Sequence, residues 1–402
     1  MANEDQISLS DDPEVETLVP IKGRDRKFGR YDLGYEIASG GMASVFLARA
    51  RGPGGFDRLV AIKKIHPHLA KQREFVEMFL DEARLAARIN HPNVCSVFDF
   101  GEVDGSYYMA MEYLVGQPLS AVLRAAYHRP DLACTRQWQV LAARIIADAC
   151  EGLHSAHELS DDRGRPLSVV HRDVTPQNLF VTYDGAVKVV DFGVAWAHGR
   201  MHETRTGVVK GKFAYMAPEQ LQSRPIDRRL DVWALGVCLW ELLALKRLFG
   251  RRSDAELVLA VVGDTIEPPS SVQPTVPAAL DAIVMRALQR DPDARYPTAR
   301  AMSRELNAFI HASGTPAGLP ELADLMRDLV PSERTRKLGV VSTLLDAPPP
   351  PSGESPISDS PGTDSPSHSG ARPVPHDALT TTRFQGVPKP GPVAPPDLHE
   401  RT

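Results

Sequence analysis

Apolar positions along the chain change their period near Gly116. Between Tyr31 and Tyr113 they fall in short runs, Tyr31–Ala38, Ser44–Arg51, Leu59–Ile65, Val94–Phe100 and Tyr107–Tyr113, each bounded by a turn or loop. That pattern predicts strands. One interruption, Glu74–Ile89, places Phe75, Phe79, Ala83 and Ala86 on a single helical stripe. Beyond Gly116 the spacing is mostly helical: Ser120–Ala126, Thr135–Leu159, Pro218–Gln222, Arg229–Leu245, Asp254–Val262, Ala278–Leu288 and Ala299–His311. A small sheet-rich part followed by a larger helical one predicts an α+β fold with a cleft between two lobes.

The same pass divides the chain into four stretches. Residues 1–30 are polar, acidic and then basic, and read as a flexible lead-in. Residues 31–312 form the patterned core. In 313–346, Leu319, Leu322, Leu325, Met326 and Leu329 recur at helical spacing, which predicts an amphipathic helical extension docked on the core, with a partner protein as the alternative seat. Residues 347–402 hold 14 of the 34 prolines among Ser, Gly and Thr. Such a stretch buries too little apolar surface to offset its ordering entropy, so it reads as disordered.

Composition narrows the classes. A formal charge of −5 gives no drive toward nucleic acid or an anionic membrane. The four cysteines, Cys95, Cys134, Cys150 and Cys238, form no C-x-x-C pair, which argues against a disulfide scaffold or zinc site and for a reducing cytoplasm. The acidic start has no apolar signal region. The most apolar run, near Val232–Leu245, contains Glu241 and is too short to span a bilayer.

The chemistry lies in a series of short motifs. His171-Arg172-Asp173-Val174-Thr175-Pro176-Gln177-Asn178 is followed, 13 residues past Asn178, by Asp191-Phe192-Gly193, and later by Ala217-Pro218-Glu219. Upstream, Ala61-Ile62-Lys63 ends a strand and Glu82 lies on the next helix. A lone lysine in a strand or glutamate on a helix is usually a solvated surface charge. Here five such residues occupy five slots of one ordered set, the protein-kinase signature.

On these motifs, residues 31–312 resemble the bacterial eukaryotic-like (Hanks-type) serine/threonine protein kinases. The resemblance implies a bilobal kinase fold, ATP with Mg²⁺ or Mn²⁺ as cofactors, and transfer of the γ-phosphoryl group to Ser/Thr hydroxyls of substrate proteins. It implies that Lys63 pairs with the α/β-phosphates, that Glu82 holds Lys63, and that Asn178 and Asp191 hold the metal, a hard cation suited to amide and carboxylate oxygen. Asp173 becomes the base that receives the substrate hydroxyl proton. By the same resemblance Val45, Ala61 and Phe180 sandwich adenine, Met111 is the gatekeeper, and the main chain of Glu112 and Leu114 supplies the hinge hydrogen bonds.

Two departures from the family pattern stand out. The phosphate-covering loop, normally G-x-G-x-x-G, reads Ala38-Ser39-Gly40-Gly41-Met42-Ala43. Gly40 and Gly41 keep its tip permissive, and alanine adds only a methyl at the flanks, so a stiffer flap is expected. The lysine usually found two residues after the catalytic Asp is Thr175, while the threonine usual after the glycine of the substrate-side loop is Lys212. In the family fold these side chains meet beside the catalytic Asp. Lys212 is therefore expected to supply the missing ammonium, against the bland reading of a solvated loop lysine.

Arg172 before the catalytic Asp resembles kinases controlled by activation-loop phosphorylation, with Thr204 and Thr206 as candidate phosphosites. Asp231 is expected to cap the catalytic-loop backbone and Arg295 to pair with Glu219. The altered loop and Thr175 leave a weakly active pseudokinase or scaffold as the alternative. The Ser/Thr-rich tail, with Ser355, Ser360, Ser365 and Thr380–Thr382, reads as a solubilising segment or a phosphorylated docking segment for partners.

Overall fold

The structure, a computed structural model, describes residues 18–52, 57–192, 212–250 and 253–348. The N-terminal lobe is a twisted sheet formed by β1 (Val19–Pro20), β2 (Lys27–Phe28), β3 (Tyr31–Ser39), β4 (Ala43–Arg51), β5 (Asp57–Ile65), β6 (Val97–Val103) and β7 (Ser106–Glu112), with α1 (Arg73–Ala86) between β5 and β6. The strand order is β1-β3-β4-β5-β7-β6, with β2 alongside β3. All pairings are antiparallel.

Register fixes one face of this sheet. Val45 stands opposite Lys63, Lys63 opposite Met109, and Ala61 opposite Met111. Residues two apart on a strand share a face, as do residues directly across a ladder. Val45, Ala61, Lys63 and Met111 therefore line up together toward the cleft. The stripe Phe79, Ala83 and Ala86 buries α1 against the lobe and brings Glu82 to Lys63.

From the hinge, residues 112–116, the chain continues through β8 (Gly116–Pro118), α2 (Leu119–Tyr127), α3 (Arg136–His157), β9 (Leu179–Thr182) and β10 (Val187–Val189), then α4 (Pro218–Leu221), α5 (Arg229–Ala244), α6 (Asp254–Gly263), α7 (Pro269–Val272), α8 (Ala278–Ala287), α9 (Ala299–Ser313), α10 (Leu319–Leu329) and α11 (Pro331–Asp346). β8, β9 and β10 make a second small sheet under the cleft. Helix α5 is buried along nearly its whole length, as an apolar-all-round helix must be. Trp138 of α3 donates its indole N–H to the Leu242 carbonyl, 2.7 Å away, and stitches α3 to α5. Thr135 caps α3 by accepting from the Trp138 N–H.

The longer elements lie where the periodicity predicts them, with shifted ends. The strand expected at Val94–Phe100 begins only at Val97, because Val94 pairs with Val189 in an isolated bridge instead. The lead-in differs from the sequence expectation. Residues 18–30 lie along the N-lobe: Val19 and Pro20 pair with Glu36 and Tyr35, and Phe28 is buried with Tyr31 and Tyr108. Arg26 makes a two-bond pair with Asp32 at 3.0 and 2.9 Å, which ties this basic stretch down. The extension is two helices, α10 and α11, both seated on the lobes. Leu319 of the expected stripe is exposed, while Leu322 and Met326 are fully buried. Past Pro348 the proline-rich tail lies outside the described residues. No helix among the described residues is long and apolar enough to cross a membrane.

Candidate active site

The cleft between the lobes is a cavity of about 890 Å³ lined by residues from both. At its inner end Lys63 on β5 donates to Glu82 Oε1 at 2.8 Å and to Asp191 Oδ1 at 3.0 Å. Burial works against the ammonium, but the Asp191 and Glu82 carboxylates outweigh it and hold the Lys63 pKa above its ordinary value. Reciprocally, Lys63 holds the Asp191 carboxyl below the usual carboxylate range. Asp191 is ionised and 44% exposed to the cleft, available to a cation.

Asp173 and Asn178 face this cluster from the loop between α3 and β9. The Asn178 amide nitrogen donates to the Asp173 carbonyl at 2.7 Å and to Asp173 Oδ2 at 3.2 Å. With its nitrogen committed, the amide presents its oxygen outward. The Val190 N–H bonds to the Asn178 carbonyl at 3.0 Å, tying the segment before Asp191 to the loop. Oxygen from Asn178 and a carboxylate from Asp191 are the donors that Mg²⁺ prefers, and its remaining positions would be filled by water and phosphate. The residues present fit that ion.

Two residues here hold left-handed backbone without being glycine: Arg172 at φ 68° and Asp191 at φ 53°. Such conformations cost on the order of 1 kcal/mol or more each and persist only where neighbours enforce them. Buried Asp231 at the start of α5 is one enforcer. It accepts from the N–H groups of His171 and Arg172, both at 2.9 Å, and from His157 Nε2 at 2.7 Å. The His171 ring contacts the Val190 carbonyl at 3.0 Å and packs, tilted by 47°, with its centroid 4.7 Å from that of Phe192. His171 was quoted in the sequence motif without a role; only the fold shows that its ring links the two loops.

Lys212, in a 3₁₀ turn at residues 212–215, reaches Asp173 Oδ2 at 2.8 Å. Thr175, two residues past Asp173, is buried, with its carbonyl accepting from the Asn178 N–H at 3.0 Å. Thr204, Thr206 and Gly193 lie outside the described residues.

At the outer end of the cleft the lining includes Val45, Ala61, Met111, Glu112, Leu114 and Phe180. The Glu112 N–H is already bonded to the Ser96 carbonyl at 2.8 Å, so Glu112 offers a ligand its carbonyl alone. Ala38 and Ser39 also line the cavity, whereas Gly40, Gly41, Met42 and Ala43 form the β3–β4 turn beyond it. That turn is closed by Gly40 N–H to the Ala43 carbonyl at 2.9 Å, by the Ser39–Ser44 hydroxyl pair at 3.0 Å, and by the His66 ring on the Gly40 carbonyl at 2.8 Å. Neither Gly40 nor Gly41 occupies the left-handed region. Alanine at positions 38 and 43 is compatible with this turn because those residues are ordinary strand ends.

Residues 31–306 match the family described as "Protein kinase domain". The chain is 43% identical to "Tyrosine-protein kinase MasK" of Myxococcus xanthus over 81% of its length, covering 50% of that protein. It is 36% identical to "Serine/threonine-protein kinase PksC" of Streptomyces coelicolor over 70% of its length, covering 49% of that protein. With "Serine/threonine-protein kinase PknB" of Mycobacterium tuberculosis it shares 34% identity over 79% of this chain and 48% of that one. The chain thus spans about half the length of these relatives. Among solved structures, the kinase domain of M. tuberculosis PknI is similar at a TM-score of 0.50 and 27% identity, covering 70% of this chain and 96% of that one.

Proposed function

Since this chain belongs to the protein kinase family, we propose that it transfers the γ-phosphoryl group of Mg-ATP to serine or threonine hydroxyls of proteins. The observation that supports this best is the Lys63 ammonium bonded at once to Glu82 and Asp191. That arrangement positions a cation for the phosphates beside an ionised carboxylate for the metal. It gives little reason to read the chain as an inert scaffold.

Phosphoryl transfer asks a protein mainly to position reactants and balance charge. Lys63 holds the α/β-phosphates, and Asn178 and Asp191 hold Mg²⁺, or Mn²⁺ in its place. The metal, when bound, neutralises charge on the phosphate oxygens. Asp173 orients the acceptor hydroxyl. As the new oxygen–phosphorus bond forms and the bond to ADP breaks, Asp173 receives the hydroxyl proton. Lys212, bonded to Asp173 Oδ2, stands in for the lysine absent at position 175 and supplies positive charge near the γ-phosphoryl group. Val45, Ala61 and Phe180 enclose adenine, with Met111 behind it, the Glu112 carbonyl and Leu114 N–H at its edge, and residues 38–43 above the phosphates.

Thr204 and Thr206 are read as autophosphorylation sites whose phosphate pairs with Arg172. The tail past residue 347 is read as a segment for docking partners, and the protein as cytoplasmic.

One observation favours a second acceptor: a relative at 43% identity is named a tyrosine-protein kinase. Incubation with labelled ATP and Mg²⁺, followed by phosphoamino-acid analysis, separates the readings. Phosphoserine or phosphothreonine is expected, absent in Asp191→Asn. Phosphotyrosine alone would redirect the assignment, and no labelled protein would end it.

A further inference from the structure

The nucleotide cleft has a wall that the kinase core does not supply. The linker before α10 is held on α3 by Gln137 to the Pro316 carbonyl and by Arg144 to the Ala317 carbonyl, both at 3.0 Å. Helix α10 then lies on the C-lobe with Leu322 and Met326 buried. Its first turn rests on the β9–β10 turn, where Gly185 at φ 92° has no Cβ to collide with the Leu319 carbonyl. The chain turns at Val330-Pro331, and α11 crosses the hinge to β4 of the N-lobe.

Helix α11 is anchored at three levels. Lys337, 1% exposed, donates to the Gly116 carbonyl of the hinge at 2.8 Å. Its ammonium lies 5.3 Å from the centroid of the Phe180 ring and 5.9 Å from that of Tyr113. One to two turns on, Val340, Val341 and Leu344 join a cluster with Ile37, Leu47 and Tyr113 that also contains Val45, Ala61 and Met111 of the cleft. At the end, Arg49 donates to the carbonyls of Leu345 at 2.8 Å and Ala347 at 2.7 Å, while buried Asp32 holds Arg49 at 3.2 Å.

An ammonium is an expensive group to bury. Leucine or methionine would fill the same stripe without that desolvation. What the ammonium adds is a directed bond to a hinge carbonyl and a cation over two aromatic rings. We infer that Lys337 is a positioning residue for nucleotide binding: held by α11, it fixes the Gly116 hinge and the Phe180 floor against which adenine packs. The inference rests on the reading of the cleft as an ATP site. It assigns Lys337 no contact with the reacting phosphate, so the effect belongs in affinity and leaves the chemical step alone.

The test compares the full chain with Lys337→Met, Lys337→Arg and Gly34→Val, using Mg-ADP titration and steady-state kinetics in ATP. Gly34→Val acts from the sheet side, because a Cβ at Gly34 would lie 2.6 Å from Cδ1 of buried Leu344 and crowd the side chain that seats α11. Lys337→Met and Gly34→Val are expected to raise the Mg-ADP Kd and the ATP KM by about tenfold with kcat within about twofold. Lys337→Arg should recover part of the loss. Wild-type protein that binds Mg-ADP normally beside folded variants of unchanged Kd overturns the inference alone, as does a fall in kcat at constant KM. If Lys337→Met fails to fold, an unchanged Kd in Gly34→Val overturns it equally. Wild-type protein that binds no Mg-ADP overturns the nucleotide reading beneath it.

Discussion

The Arg295 guanidinium meets the Glu219 carboxylate in parallel, Nη1 to Oε1 and Nη2 to Oε2 at 2.7 Å each, with both side chains buried. The remaining donors of Arg295 reach the carbonyls of Gln289, Arg229 and Arg290. One arginine therefore ties together the segment after the activation loop, the start of α5 and the turn that follows α8. Removing one partner of such a pair leaves an unpaired buried charge, which typically costs ~3–5 kcal/mol. Arg295→Ala should lower stability by about that amount in urea unfolding, with the midpoint shifted and the slope retained. A change under ~1 kcal/mol would show the pair to be dispensable.

Asp231 sets an acid limit on the fold. Burial pushes its carboxyl up, but hydrogen bonds from His157 and the His171 backbone and the neighbouring charges win, leaving its pKa below the ordinary value. A lowered folded pKa contributes stability that is present above the unfolded pKa, near 3.9, and is lost as pH falls through the folded value. Asp231→Asn should thus be less stable than wild type at pH 7, and the gap should narrow as pH drops below about 4. Thermal unfolding at a series of pH values checks this, and a gap independent of pH would contradict it.

Much of the framework was legible in the sequence because it rests on local periodicity. The buried stripe of α1 and the alternation in β3, β4 and β5 were visible one element at a time. Three-residue strands such as β8 and β10 are too short to show a period; their pairing partners create them. Residues 313–346 read as a helical extension, but the buried stripe of α11 within it is obscured for a different reason. Lys337, Val340, Val341 and Leu344 do recur at helical spacing, yet a lysine occupies the first apolar slot, and only the hinge carbonyl explains it. The lead-in, expected to be flexible, follows the same rule: Arg26 looks solvated until buried Asp32 is placed beside it. At the cleft, residue types announced the chemistry, but nothing in their order showed that Asp191 and Arg172 hold left-handed backbone.

Lys212 offers a charge-exchange experiment. Its Nζ is 2.8 Å from Asp173 Oδ2, and its side chain is 40% exposed. Lys212→Ala should reduce kcat by roughly 10²-fold, the scale seen when one preorganised donor to a developing charge is removed, with ATP KM little changed. Thr175→Lys combined with Lys212→Thr should return most of the lost rate. A kcat for Lys212→Ala close to wild type would refute the exchange.

Activation-loop phosphorylation is expected at Thr204, Thr206 or both, where phosphate would add about −1.5 to −2 charge as a proposed partner for Arg172. The Thr204→Ala/Thr206→Ala double variant should turn over about tenfold more slowly than wild type preincubated with ATP. Mass mapping of active protein that finds both threonines unmodified would count against the proposal.

Gly185 gives the helical extension an address outside itself. The first turn of α10 sits where a bare peptide in the β9–β10 turn leaves room for it, so a single methyl installed in the catalytic core would be enough to evict a helix that follows much later in translation. An engineer wishing to free the extension, or an evolving lineage discarding it, need not touch its sequence at all. Chains of this kind that keep glycine at that turn are the ones in which a bound extension should be sought.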